Sequence, residues 1–184
     1  MNFTNHLLVA MPGKVGGSLA DTVIYMCEHS EQGALGIVIN RPTDLTVGDL
    51  LKRLELDLSL EIGLREQSPV FFGGPVHTDR GFVLHSPVGD YSSSLTVGDI
   101  ALTTSLDILQ EVAAGTGPEH MIITLGYAGW DAGQLEEEMV QGAWLHVASD
   151  ETILFDTPAA ERYQAALAQL GIDPIMLTGS AGRA

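Results

Sequence analysis

Thr22-Val23-Ile24-Tyr25-Met26-Cys27-Glu28, His29-Ser30-Glu31-Gln32-Gly33 and Ala34-Leu35-Gly36-Ile37-Val38-Ile39-Asn40 follow one another without a break, and the fold is decided there. The first segment is rich in β-branched and aromatic residues. The second is short, polar and ends in glycine. The third is a continuous apolar run. Two strands joined by a hairpin-like turn are predicted. An apolar run without alternation suits a strand buried on both faces, at the centre of a sheet with something packed on each side. Arg41-Pro42 then stops the strand.

Working outward, His6 to Ala10 is a short apolar strand that ends at Met11-Pro12-Gly13, and Lys14 to Ala20 is a glycine-rich loop. Thr46 to Leu54 reads as a helix, with Thr46 as N-cap, Asp49 three residues on, and Leu50, Leu51 and Leu54 as an apolar stripe. Val70–Phe72 and Gly81–His85 are strands joined through Gly73-Gly74-Pro75, and Ile100–Thr103 is another. Thr104 with Asp107 repeats the capping pattern before a helix that runs through Ala114. Met121–Leu125 reads as a strand, Gly126 to Gly133 as a glycine-rich loop, and Gly133–Val140 as a helix with an acidic start. Trp144–Ala148 and Thr152–Phe155 pair as a late hairpin. Pro158–Leu170 is a helix closed by Gly171, and 178–184 is a loose tail.

Leu45-Thr46-Val47-Gly48-Asp49-Leu50 recurs as Leu95-Thr96-Val97-Gly98-Asp99-Ile100. The first copy leads into a helical pattern and the second into a strand, so shared turn chemistry explains it better than duplication. No Pro- or Ser-rich linker divides the chain, and 1–184 is expected to be one domain. Strands and helices mix without strict βαβ alternation. The fold class is therefore α/β of a mixed kind, a mixed central sheet with helices packed on it.

Hydrophobic residues are 45% of the 184, and a chain of this length buries about 70% of its unfolded surface without help from metals or disulfides. Acidic residues outnumber Lys and Arg by 24 to 8, for a net charge of −16. Nucleic-acid affinity comes mostly from cations that neutralise phosphates, and Lys52-Arg53 is the only adjacent basic pair, so direct DNA binding is not expected. Anionic membrane surfaces are disfavoured for the same reason. With Cys27 alone, no internal disulfide or cysteine-pair zinc site can form. A start without a basic n-region and the lack of a long apolar run point to the cytoplasm.

There is no G-x-x-x-x-G-K-[ST], no H-E-x-x-H and no G-x-S-x-G. No cofactor or metal is expected. Cys27 and His29 would share one strand face. They are either a core thiol beside a turn histidine or, in a second reading, a redox sensor at Cys27. Phe71-Phe72-Gly73-Gly74-Pro75-Val76 followed by Arg80 is either a tight crossover or an anion cradle of backbone N–H groups and a guanidinium. Gly126-Tyr127-Ala128-Gly129-Trp130 is either a tight strand–helix junction or a ligand wall built from Tyr127 and Trp130. The candidate ligand site is thus Gly73, Gly74, Arg80, Tyr127 and Trp130. A non-catalytic binding protein for a small ligand or a protein partner fits best. The alternative is a hydrolase or transferase that uses a histidine base, His29 or His85, near the Gly73–His85 segment.

Taken in order, Met11-Pro12, Val23 to His29, Gly33 to Pro42, Gly73-Gly74-Pro75-Val76, Arg80 to His85, Leu102 to Ser105, Leu125 to Trp130 and Gly133 to Glu136 resemble the AlgH/YqgE family of bacterial proteins along nearly the whole chain. The resemblance implies a three-layer core with a smaller two-layer portion from the same chain. It implies no catalytic residues. One member has been linked to control of alginate production, which suggests a regulatory role. The match breaks at Gly16-Gly17-Ser18-Leu19, where the family carries an Asp-Pro-x-Phe-like stretch. It breaks again at Gly142, usually Asn, and at Gly179-Ser180-Ala181, usually Gly-His-Ala.

Overall fold

The computed structural model describes residues 1–173. Ten strands form one sheet: β1 (His6–Ala10), β2 (Val23–Ser30), β3 (Gly33–Val38), β4 (Pro42–Thr46), β5 (Pro69–Phe72), β6 (Val76–Ser86), β7 (Ser94–Val97), β8 (Ile100–Thr103), β9 (His120–Asp131) and β10 (Trp144–Ala148). Their order is β10-β1-β2-β3-β9-β6-β8-β7, and β4 attaches through β5. All pairings are antiparallel except β5 with β9, which makes the sheet mixed. The helices are α1 (Val47–Arg53), α2 (Leu106–Ala114), α3 (Gln134–Val140) and α4 (Arg162–Gln169).

The predicted hairpin is present, with Ile24 opposite Val38 and Tyr25 opposite Ile37. Both faces of this half of the sheet are covered. Leu8, Ile24, Met26 and Val38 pack on one side with Leu135 of α3, Trp130 and Trp144. Leu7, Tyr25 and Ile37 pack on the other with Ala166 and Leu167 of α4 and with Ile153 and Leu154. Each such side chain contributes about 1.5–3 kcal/mol by leaving water, so helices are held on both faces and three layers result.

In the second half, Val70, Val83 and Ile123 pack against Leu51 of α1 and Ile108 and Val112 of α2. Their strand neighbours Phe71, Phe82, Leu84 and Ile122 join the cluster under α4. The sheet therefore curls about a shared interior, with a two-layer portion at the α1–α2 end.

β9 ties the halves together. Its first part pairs with β6 and β5, and its last four residues pair with β3. The glycine-rich loop predicted over 126–133 is instead mostly strand, because Ala128 to Asp131 find ladder partners in Gly36 to Gly33. Local composition read as a loop, and non-local pairing overrode it.

Other boundaries moved for similar reasons. β6 starts at Val76, earlier than Gly81, and β7 was not foreseen. Thr152–Asp156 is a π-helical turn, so no late hairpin forms. Ser105, not Thr104, stands at the N-cap position of α2, and its side chain makes no bond to the helix N–H groups. The Asp107 carboxylate accepts from the Ser92 N–H (2.8 Å) and hydroxyl (2.9 Å). The α1 capping box of Thr46 and Asp49 is present as predicted. The predicted tail, 178–184, lies outside the described residues. No helix among them is long and apolar enough to cross a membrane.

Candidate functional site

The tip of the β2–β3 hairpin and the end of β9 enclose a cavity of about 460 Å³. Strand alternation explains its lining. Glu28 is opposite Leu35, which is opposite Gly129, and Ser30 is opposite Gly33, which is opposite Asp131, so these residues share one face. Gly33 and Gly129 present no side chain, and a hollow remains between the carboxylates of Glu28 and Asp131. Tyr127 and Val76 form the apolar wall. The Tyr127 ring is held edge-on by Phe82, with centroids 5.5 Å apart, and is flanked by His77 at 5.8 Å. Among the described residues, no Lys, Arg or His lines this cavity.

Trp130 borders the cavity but directs its indole to the other face of β9. There it stands edge-on to Trp144, and the Nε1–H groups of both donate to the same Glu138 oxygen at 3.0 and 2.8 Å. Gln134 donates to the second Glu138 oxygen at 3.0 Å, so one carboxylate pins both indoles and the start of α3. Of the five residues nominated from sequence, the structure brings Tyr127 and Trp130 to one cavity.

The other three are elsewhere. The Gly73 N–H, expected to face an anion, donates to the Leu125 carbonyl at 2.9 Å, and the Gly73 carbonyl accepts from Val38 N–H at 2.8 Å. Gly74, at φ 152, presses its Cα against the Tyr127 peptide, where any Cβ would collide with backbone. The Gly73–Gly74 junction is thus filled by β9 itself and holds no cradle. Arg80 is exposed on β6 and does not line the cavity.

Cys27 and His29 do not share a face. A bulge between Met26 and Glu28 shifts the register, so Cys27 packs under α4 while His29 stacks on Phe3 in the layer under α3, with centroids 5.4 Å apart. Cys27 is 1% exposed and burial pushes its thiol well above the usual range, which deprives it of the thiolate a redox sensor needs.

His29 Nδ1 accepts from the Phe3 N–H at 3.0 Å, which places the ring proton on Nε2. That nitrogen lies 3.3 Å from a Glu136 oxygen without the alignment of a hydrogen bond, and is a buried polar atom lacking a bonded partner. The Glu136 backbone N–H, and after it the neighbouring His29, hold the Glu136 carboxyl below its ordinary value.

His85 is wholly buried between the Pro87 carbonyl (3.0 Å) and the Thr103 hydroxyl (2.6 Å). Burial lowers its pKa. Both nitrogens are occupied by the protein's own groups, so His85 reaches no substrate. No group of three or more metal-ligating side chains occurs among the described residues.

Glu28 and Asp131 were not singled out in the sequence. The signal was available for Glu28, because a hairpin closing at Gly33 sets it across from Leu35. Asp131 needed the β3–β9 register, which no local pattern carries.

Residues 7–175 match a family model described as AlgH-like. A UPF0301 protein of Bordetella petrii is 64% identical over 183 residues, covering 100% of this chain and 90% of the relative. A UPF0301 protein of Ralstonia nicotianae is 55% identical, covering 100% and 96%. The solution structure of the AlgH protein from Pseudomonas aeruginosa superposes with a TM-score of 0.81 at 47% identity, covering 97% of this chain and 94% of that one. A crystal structure of a Corynebacterium diphtheriae protein, at 18% identity and TM-score 0.70, covers 95% and 88% and shares the fold.

Proposed function

The chain belongs to the AlgH-like family, and from that premise we propose that it is a cytosolic, single-domain, non-catalytic binding protein with a regulatory role, whose cavity between the β2–β3 hairpin and β9 takes the cationic group of a small polar ligand. One observation carries this reading: the carboxylates of Glu28 and Asp131 flank a cavity walled by Tyr127, with no basic side chain among the described residues of its lining. An ammonium or guanidinium group there meets two opposite charges and an aromatic ring. The net charge of −16 draws cations toward the surface.

The preferred ligand charge is therefore opposite to the one expected from Gly73, Gly74 and Arg80. A histidine-based enzyme has less support, because neither His29 nor His85 lines the cavity.

The test is a thermal-shift screen of amines, polyamines, amino acids and guanidinium compounds on the wild-type protein and on Glu28→Gln/Asp131→Asn. A ligand at 100 times its Kd adds about 2.7 kcal/mol, or roughly 5–10 °C in Tm for a chain of this size. The expected hit is cationic, weakens with salt and disappears in the double variant. A hit that persists in the double variant, or a response only to anions, refutes the cavity. A silent panel turns the reading toward a protein partner that inserts a Lys or Arg side chain.

A further inference from the structure

A second cleft, of about 350 Å³, lies where β5 and the start of β9 meet the chain leading into α4. Its lining includes Arg65, Ser68, Phe71, His120, Phe155 and Arg162. Two of the chain's eight Lys and Arg thus share one cleft in a strongly acidic protein.

Arg162 is 6% exposed. Its Nε donates to the Thr157 carbonyl at 3.0 Å and its Nη1 to the Ile39 carbonyl. The guanidinium carbon lies 5.3 Å from the centre of the Phe71 ring. These contacts orient the group without neutralising it. Among the described residues no carboxylate lies within 4.0 Å of Arg162, and its Nη2 has no acceptor.

Burial lowers the Arg162 pKa to about 10, and the group remains a cation at neutral pH. A buried charge without a counter-ion is costly, and proteins normally pair one. Here the place of the counter-ion opens into a cleft.

The rest of the lining describes the remainder of the ligand. Arg65 is fixed by the carbonyls of Pro118 and Glu119 and adds a second positive charge. The His120 ring stacks on Phe155 with centroids 5.6 Å apart and an interplanar angle of 25°, and with Phe71 it supplies flat apolar surface. Among the described residues, the one carboxylate in the lining, Glu119, is exposed and lies 4.0 Å from His120.

We propose that this cleft binds a small aromatic carboxylate, with the carboxylate on Arg162 and the ring against Phe155 and His120. The site is separate from the Glu28–Asp131 cavity, takes ligands of opposite sign, and does not depend on the function assigned to that cavity. Arginine's planar fork suits a carboxylate's two oxygens.

The experiment is an NMR or calorimetric titration of the wild-type chain with 1-naphthoate and with its uncharged isostere, 1-naphthamide. The acid is expected to bind and the amide to bind at least tenfold more weakly. Arg162→Met should abolish binding of the acid. Because Arg162 also ties Ile39 to Thr157, that variant can fail to fold. Phe155→Ala, at a half-buried position, then serves as the second test and should weaken binding at least fivefold. Arg80→Ala and Glu28→Gln/Asp131→Asn should leave the acid's affinity unchanged, which separates this site from the other cavity. Equal affinity of acid and amide, no binding of the acid at millimolar concentration, or full affinity in Arg162→Met or Phe155→Ala would overturn the proposal.

Discussion

Phe72-Gly73-Gly74-Pro75 and Gly126-Tyr127-Ala128-Gly129 look alike on paper, each with paired glycines beside an aromatic residue. In space the first is closed throughout, and the second is open at Gly129 alone. At the first, both glycines are bare because the backbone of β9 runs against them: a Cβ on Gly73 would sit 2.6 Å from the Thr124 hydroxyl, and one on Gly74 would strike the Tyr127 peptide. At the second, Gly126 is closed in the same way against the Gly74 carbonyl, and only at Gly129 does the missing side chain leave a hollow, edged by the Tyr127 ring. A glycine permits close approach, but what approaches is decided elsewhere.

The contrast can be broken most decisively at Gly74. Gly74→Ala should cost about 4 kcal/mol or more, because backbone cannot move aside and φ 152 is hostile to a side chain. For a chain of this length that is roughly 10 °C or more in Tm. Urea and thermal unfolding would show it, and a loss under 1 kcal/mol would mean that the junction is looser than described.

A smaller effect is expected at the buried side of the open junction. Trp130→Phe removes one of the two indole donors to Glu138. A hydrogen bond to a charged group contributes about 2 kcal/mol, so stability should fall by about that much while cation binding in the cavity stays unchanged. Coupled loss of both would show that the indole side of β9 shapes the cavity.

The smallest change belongs to Gly129→Ala. Its Cβ would lie 3.2 Å from Tyr127 Cε2, a ring edge that can yield. Stability should stay within about 0.5 kcal/mol, whereas cation binding should weaken several-fold, as read by titration. The reverse pattern, lost stability with intact binding, would erase the distinction between closed and open glycines.

The repeated hexapeptide shows how much was legible beforehand. Leu45 to Leu50 and Leu95 to Ile100 differ only in the last residue. In the first, the Thr46 side chain accepts from the Asp49 N–H, the Asp49 side chain accepts in return from the Thr46 N–H, and Leu50 and Leu51 follow on one buried face. In the second, Val97 pairs with Ile100 across a two-residue turn with Gly98 at φ 59, and Ala101 to Thr103 continue as strand. The flanking residues forecast the helix after the first copy and the strand Ile100–Thr103 after the second, because cap and turn chemistry act over three or four positions, but not the strand Ser94–Val97 that pairs back across the turn.

Reach along the chain separates what was foreseen from what was not. Tyr127 and Trp130 stand out in the sequence because bulky aromatics among glycines are conspicuous in one dimension, and both border the cavity. Arg80 stands out as a guanidinium soon after Gly73-Gly74-Pro75, suited to an anion, and it is exposed. Arg162 stood unnoticed inside a helical pattern, although it is the buried cation.

By itself the sequence determined the central hairpin, the β-rich mixed architecture, the α1 capping box, the acidic surface and the family, since each rests on periodicity, composition or neighbours within a turn. Only the tertiary structure decided that β9 runs through its glycines, that a bulge parts Cys27 from His29, that Glu28 and Asp131 face one hollow, and that Arg162 lies bonded to Ile39, 123 positions away. Those outcomes depend on which distant strand supplies the missing hydrogen bonds and which distant side chains exclude water, and a buried group's partners are set by the packing of the whole chain.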